Sequence, residues 1–335
     1  MSVASREWQL IARPVGEPKA SDFRLLQAEV ADPGPGQILV RNTWLSVDPY
    51  MRGRMDDVPS YIPPFQLDEP MTGGAVGVVV AAGEGSPVPV GATVSHFEGW
   101  REYALLEAAR TQVLDTSKVP AQAFLGVLGV TGLTAYVGLT EIAPVKEGDV
   151  VFVSGAAGAV GSVAGQVAKK LGAAKVIGSA GGPEKAKRLT DEYGFDVAVD
   201  YRLGNLEAQL KAAAPEGIDV YFDNVGGEHL RAAIARANLH GRFALCGAIS
   251  QYNATTPVPG PDNLALAIGK RLTLKGFIVM DHMHLVPTWV PQAAQWVRDG
   301  ELRAEETVVE GVDHAVDAFL GLLRGANTGK MLIRL

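Results

Sequence analysis

The chain has 335 residues, 47% of them hydrophobic and 20% charged, which excludes a disordered or fibrous protein and leaves room for about two buried cores. Against 37 Asp and Glu stand 30 Lys and Arg, a formal net charge of −7, so no basic excess is available to meet nucleic-acid phosphates. The single cysteine, Cys246, can form neither an intramolecular disulfide nor a cysteine-rich zinc site.

The opening MSVASREWQL carries Arg6 and Glu7 and lacks the apolar core of a secretory signal, so a cytosolic protein is expected. Up to about residue 120, Pro- and Gly-rich segments such as DPGPG at 32–36 and GEGSPVPVG at 83–91 separate short β-rich runs at 38–40 and 75–80. That texture predicts a mainly antiparallel β domain. From about Phe124, apolar runs alternate with helical stretches ended by glycine, the pattern of βαβ units on a parallel sheet. Candidate strands are 150–154, 175–179, 197–201, 220–223, 242–246 and 273–279, the six that a doubly wound dinucleotide fold requires. Val160, Val163, Ala164, Val167, Ala168 and Leu171 recur at helical spacing, and Gly172 stands where a C-terminal cap glycine belongs. The next helix is expected from Pro183 to just before Gly194. Near the end, Val312, Ala315, Val316, Phe319, Leu320 and Leu323 form an amphipathic helix before a closing strand, MLIRL, expected to return to the first domain. Residues 150–168 hold no charge, but Ser154, Ser162, Gln166 and glycines at 155, 158, 161 and 165 argue against a bilayer span.

The segment VVFVSGAAGAVGSVAGQVAKKLGA sets Gly155, Gly158 and Gly161 between a strand and a helix. Glycines let the backbone turn tightly and approach a pyrophosphate, whose charge is met by free N–H groups and the positive end of the helix dipole. The plainer alternative is close helix-on-strand packing without a ligand. An NAD site carries an acidic residue about 20 residues past the glycines. Here the second strand runs into Ser179, Ala180, Gly181 and Gly182 with no carboxylate, and Lys185, Lys187, Arg188, Tyr201 and Arg202 follow. Cations at such a strand end suit a 2′-phosphate, which predicts NADPH over NADH. A solvated basic helix face explains Lys187 and Arg188 equally well, leaving Lys185 and Tyr201 as the candidates.

The run NTWLSVDPYMRGRM at 42–55 closely resembles a signature of zinc-independent medium-chain reductases acting on enone and enal double bonds, a family that includes prostaglandin, alkenal and curcumin reductases. GVTGLTAY at 129–136, SGAAGAVGS at 154–162, DNVGG at 223–227, GRFALCGAISQYN at 241–253 and GANTGKMLIRL at 325–335 match in order. The resemblance implies an α/β protein in two parts: a GroES-like, mainly β catalytic domain of residues 1–122 completed by 291–335, and a doubly wound Rossmann NADPH-binding domain of residues 123–290. It places Gly158, Ala159, Val160 and Gly161 at the pyrophosphate, Lys185 and Tyr201 at the 2′-phosphate, and Asn224 near the riboses. Cys246, Gly247, Ala248, Ile249, Ser250, Tyr252, Phe277, Ile278, Val279 and Asn327 are placed around the nicotinamide half. Gly182 and Pro183 depart from the Ser and Asp of many relatives, removing a hydroxyl contact to the phosphate. A homodimer is also implied, with the strand at 273–279 either extending a sheet across the interface or simply ending it.

The expected reaction moves hydride to the β-carbon of an α,β-unsaturated ketone or aldehyde and protonates the resulting enolate at the α-carbon. Such a reaction needs alignment, a donor at the developing oxyanion and a proton source. Tyr252 is the leading candidate donor and Tyr50, in DPYMR, the second, expected on the wall contributed by the other domain. Each is otherwise an ordinary buried aromatic. Arg52 and Arg54 are read as salt-bridged loop anchors, Cys246 as a small strand residue, and Tyr61, Phe65, Trp100 and Trp289 as cleft wall or core. Zinc alcohol dehydrogenases share the superfamily, but their Cys and Gly-His-Glu ligand segments are absent; the early domain has only His96, and His282 with His284 lack a third ligand, so no metal is expected. The competing functions are an NADPH:quinone oxidoreductase and a catalytically idle NADPH-binding protein. The expected partners are a small enone or enal, with no nucleic acid and no membrane.

Overall fold

The computed structural model describes residues 2–335. Contacts divide the chain into two compact units, one running up to Leu125 and taking back Glu306–Asn327 and Met331–Leu335, the other formed by Gly126–Glu305 with Thr328–Lys330. No helix among the described residues is long and apolar enough to cross a membrane.

In the first unit, β1 (Val3–Leu10) and β2 (Phe23–Val30) form an antiparallel pair in unbroken register. The larger sheet is built on β3 (Gln37–Ser46), which pairs antiparallel with β4 (Ala75–Ala82) and β6 (Tyr103–Glu107). Beyond β4 lie β5 (Thr93–His96) and β7 (Gln112–Val113). The short helix α1 (Tyr50–Gly53) follows β3 and buries Met51 and Arg52.

The second unit opens with α2 (Val130–Val137) and then alternates strand and helix: β8 (Val150–Val153), α3 (Ala159–Lys170), β9 (Lys175–Ala180), α4 (Pro183–Glu192), β10 (Val197–Asp200), α5 (Leu206–Ala213), β11 (Ile218–Asp223), α6 (Gly227–Arg236) and β12 (Ala237–Leu245). After α7 (Leu266–Lys270) come β13 (Thr273–Gly276) and α8 (Val286–Arg298). All six strands are parallel, in the order β10, β9, β8, β11, β12, β13. This is the doubly wound sheet expected from the sequence, with its switch of direction beside β8. Phe152, Ile177, Tyr221 and Phe243 fill one face of the sheet beneath α5 and α6.

The strands differ from the expected ranges by a residue or more at their ends: β8 and β10 each stop one residue early, β9 runs one further, and β11 and β12 begin earlier. β12 stops at Leu245, because the N–H groups of Cys246 and Gly247 both turn to the carbonyl of Asp223, at 2.9 and 3.0 Å. Cys246 therefore lies just past the strand. β13 stops at Gly276, whose partner is that last residue of β12, leaving 277–279 nothing to pair with. The chain then closes the first unit with β14 (Glu306–Glu310), α9 (Ala315–Leu323) and β15 (Lys330–Arg334), whose Leu332 pairs antiparallel with Ser46 of β3. Phe319 of α9 meets Phe23 and Trp100 edge-on in that unit's core.

The seating of α3 fixes where its N-terminus points. Gly172, at φ +96°, ends it as expected, and Gly165 lies flat on the ring of Phe195. A Cβ at Gly165 would stand 2.0 Å from that ring, so Gly165→Ala should cost about 1–3 kcal/mol by overpacking. Phe195→Leu should cost less in the Gly165→Ala background than in the parent, a coupling readable by urea denaturation of the four proteins; strictly additive costs would show that the two residues do not share the space.

Candidate active site

The site is assembled where the parallel strands of the second unit end. After β8 the chain turns through Gly155, at φ +59°, into α3, for which Gly158 is the N-cap. The N–H of Ala156 donates to Ser179 O at 2.8 Å, and that of Gly329 to Ala157 O at 2.8 Å, so the loop is held on both sides. A Cβ at Gly161 would meet Gly155 O at 2.4 Å and Ala156 Cα at 2.8 Å, which makes this glycine a packing requirement. The N–H groups of Ala159, Val160 and Gly161 belong to the first turn of α3, where no intrahelical acceptor exists and no acidic side chain offsets the helix dipole.

Beside it, β9 runs out into Gly181 and Gly182 without a carboxylate. The Tyr201 hydroxyl lies over Gly181, only 2.5 Å from where a Cβ would stand, and Arg202 Nε is 3.0 Å from the same point. Burial, followed by the charge of Arg202, holds the half-buried Lys185 ammonium below its ordinary range. The neighbouring carboxylate, Asp200, is turned into the backbone and accepts the N–H groups of Gly182 (2.8 Å) and Arg202 (3.0 Å). Lys187 pairs with Asp191, and Arg188 with Glu192 at 2.9 Å and Glu305 at 3.0 Å. Those two are structural charges, whereas Arg202, passed over in favour of Lys185 and Tyr201, joins them at the strand end.

The third part is organised by Asp223, at the end of β11 and only 2% exposed. Its Oδ1 accepts from Tyr221 Oη (2.7 Å), Ser154 Oγ (3.1 Å) and the N–H groups of Val225 (2.9 Å) and Gly226 (2.8 Å). Burial pushes this carboxyl up, against the lowering effect of those donors. The Asn224 side chain donates to Ser154 O at 2.7 Å. The loop after β12 is templated on the same turn: Cys246 and Gly247 on Asp223 O, Ile249 on Asn224 O, and Ser250 on Val225 O through both its N–H (3.2 Å) and its hydroxyl (2.6 Å). On that loop the Tyr252 oxygen accepts the Ala248 N–H at 3.4 Å, and no acceptor among the described residues takes its O–H. Burial raises its pKa, so the phenol keeps its proton. The Cys246 thiol is pushed up to about 12, chiefly by burial, which agrees with its reading as an inert residue. Phe277 meets Phe222 edge-on at 6.4 Å and, with Ile278 and Val279, is half-buried.

In the first unit, Tyr50 opens α1 and packs on the core; burial and the Asp48 carboxylate raise its pKa. Arg52 makes the expected salt bridge, to Asp56 at 2.9 Å. Arg54 does not: it donates to the carbonyls of Pro63 and Thr72, both at 2.9 Å, and lies 4.0 Å over the Phe65 ring. Phe65 and Trp100 are core residues of this unit and Trp289 of the other, while Tyr61 is exposed. His96 is half-buried, with Nδ1 accepting from Glu98 N–H and Nε2 facing Asn42 Oδ1 at 2.9 Å, and desolvation takes its pKa down to about 3. Asn327 is buried in the C-terminal part of this unit. Tyr50 and Asn327 thus belong to one unit, and the other candidates to the second. Asp223 lies in the DNVGG match without an assigned role; the signal for one is a polar residue ending β11 beside Ser154, the first residue past β8.

A family model described as the N-terminal domain of oxidoreductase matches residues 6–114, and one described as zinc-binding dehydrogenase matches residues 159–298. Among the described residues no three His, Cys, Asp or Glu side chains are grouped as a metal ion would need. The chain is 40% identical to the NADPH-dependent curcumin reductase of Escherichia coli, over 98% of this chain and 96% of that one. It is 39% identical to the NADP(+)-dependent 2-alkenal reductase of Nicotiana tabacum, over 95% and 94%. The crystal structure of CurA from Vibrio vulnificus in complex with NADPH superposes with a TM-score of 0.93 at 41% identity, covering 98% of each chain.

The Asp223 cluster gives a test of what holds the site. Asp223→Ala strands several buried donors, each worth about 1–3 kcal/mol, and should lower stability by about 3 kcal/mol or more, with Asp223→Asn, which keeps an acceptor oxygen, falling between. Chemical denaturation checks the order; an alanine variant as stable as the parent would deny the cluster its organising role.

Proposed function

Because the chain belongs to the zinc-independent medium-chain dehydrogenase/reductases, we propose that it reduces the carbon–carbon double bond of α,β-unsaturated ketones or aldehydes with NADPH. The observation that carries this reading is Tyr252: a neutral phenol whose oxygen rests on a backbone N–H and whose own proton is uncommitted, mounted on the loop that closes the strand ends. The printed activities of the curcumin and alkenal reductases support it.

The residues present fit the cofactor. The first turn of α3, Ala159, Val160 and Gly161 with Gly158, would hold the pyrophosphate through N–H groups lacking intrahelical partners. Lys185, Tyr201 and Arg202 would hold the 2′-phosphate at a strand end that offers an NADH ribose no carboxylate. When bound, NADPH supplies a hydride. Asn224 and 246–252, with Phe277, Ile278, Val279 and Asn327, are assigned to the ribose and nicotinamide. Tyr252 donates to the substrate oxygen as negative charge develops there, which favours the enolate over the ground-state carbonyl. Tyr50 is assigned a second, weaker donor role, also as a protonated phenol. Solvent or a tyrosine proton completes the α-carbon.

NADPH absorbance followed with trans-2-alkenals, an enone, curcumin and a quinone, with products identified by mass spectrometry, tests the reading. Saturated carbonyl products are expected, and Tyr252→Phe should lower kcat by about 10²-fold, the scale for one oxyanion donor. Oxidation with the quinone alone would move the assignment to quinone reduction, and tight NADPH binding without oxidation would mark an idle binding protein. Full turnover by Tyr252→Phe would remove its role.

A homodimer belongs to the same proposal. β13 is the last strand of the parallel sheet, with one edge unpaired among the described residues, and Ile268 of α7 just before it and Met280 just after it are 81% and 56% exposed. A second copy of the chain, related by a twofold axis, would cover both edge and apolar side chains. Light scattering at micromolar concentration should give twice the chain mass; a monomer would overturn the assembly.

A further inference from the structure

His229, in the first turn of α6, is 6% exposed, and its Nε2 is buried with no hydrogen-bond partner among the described residues. A buried polar nitrogen without a partner is costly and calls for a reason. The reason lies in its neighbour: the imidazole meets the Tyr201 ring edge-on, 5.3 Å between centroids at 71°. Tyr201 itself is 40% exposed at the start of the turn after β10. The imidazole packs against its ring, and Gly181, which has no Cβ, leaves room for the hydroxyl on the other side. Burial takes the imidazole pKa down to about 4, so the ring is neutral near pH 7 and adds no third cation to Arg202 and Lys185.

We propose that His229 is a positioning residue for cofactor selection: it clamps the Tyr201 ring so that the hydroxyl stays over Gly181, and so sets the preference for a 2′-phosphorylated dinucleotide. The proposal rests on the NADPH reading above. A nonaromatic side chain at 229 would release the ring, an aromatic one would keep it, and a Cβ at Gly181 would displace it from the opposite side.

The test is the ratio of kcat/KM for NADPH to that for NADH in the parent, His229→Ala, His229→Phe and Gly181→Ala, with circular dichroism to check folding. The expected fall in the ratio is about three- to tenfold for His229→Ala, the range for losing an edge-to-face ring contact. Gly181→Ala should fall likewise, and His229→Phe should stay within about twofold of the parent, restoring the contact without the unpaired nitrogen. A general loss of structure would lower both cofactors together and leave the ratio unmoved. A ratio unchanged in His229→Ala and Gly181→Ala, or reduced in His229→Phe as much as in the alanine variant, overturns the proposal. Should His229→Ala fail to fold, the opposite behaviour of His229→Phe and Gly181→Ala still decides it. A parent ratio near one would instead refute the NADPH reading and this proposal with it.

Discussion

One carboxylate oxygen organises the end of the parallel sheet. Where strands stop, backbone N–H groups lose their ladder partners and must find others. Asp223 Oδ1 gathers two such amides, of Val225 and Gly226, together with the hydroxyls of Tyr221 and Ser154. Ser154 in turn accepts the Asn224 N–H at 2.9 Å, which ties β8 to β11 at their shared end. The carbonyls of Asp223, Asn224 and Val225 are thereby fixed, and the loop carrying Tyr252 is hung on them. The position of the phenol is inherited from β11, a buried central strand, so its placement needs little from the exposed loop itself. A donor held on a rigid element loses less to reorganisation than one on a free loop.

Charge is sorted by the same local logic along α4. Lys187 and Arg188 each have a carboxylate four residues on, Asp191 and Glu192, and both pairs form. The residue four on from Lys185 is Leu189, fully buried in the core, so helix spacing gives this lysine no such pair. Burial comes first and the like charge of Arg202 second among the causes of its depressed pKa. Two cations near one strand end suit an anionic ligand, and on the NADPH reading that is the 2′-phosphate.

Much of this was legible in the sequence. Alternation of apolar runs with glycine-ended helices gave six parallel strands in their correct places, because each helix–strand unit carries its own period and its own stop residues. The hidden parts were those whose causes lie far along the chain. The first half of β12 escaped because Asn238, His240 and Gly241 interrupt its pattern, His240 sitting at φ +64° within the strand. Arg54 was read as a salt-bridge former, yet its partners are carbonyls and a ring brought in by the loop at 63–72, which no local spacing announces. Asp223 was visible as a residue but not as an acceptor of four donors, since Ser154 stands 69 positions away. Spacing did contain one unread signal, the carboxylates at four-residue steps from Lys187 and Arg188 and the leucine at that step from Lys185.

Protonation divides the two halves of the second unit's site. Where a phosphate is assigned, the groups are the Lys185 and Arg202 cations, the Tyr201 hydroxyl and helix N–H dipoles. Around the reaction half, burial acts in the other direction: it keeps the Tyr252 phenol and the Cys246 thiol protonated and lifts the Asp223 carboxyl. No thiolate or phenolate competes there with a substrate oxygen for the available hydrogen bonds. A carbonyl gaining negative charge would find neutral donors in a partly dehydrated setting, where each is worth more than in water. A ground-state carbonyl gains less from them, and that difference is what the proposed reaction needs.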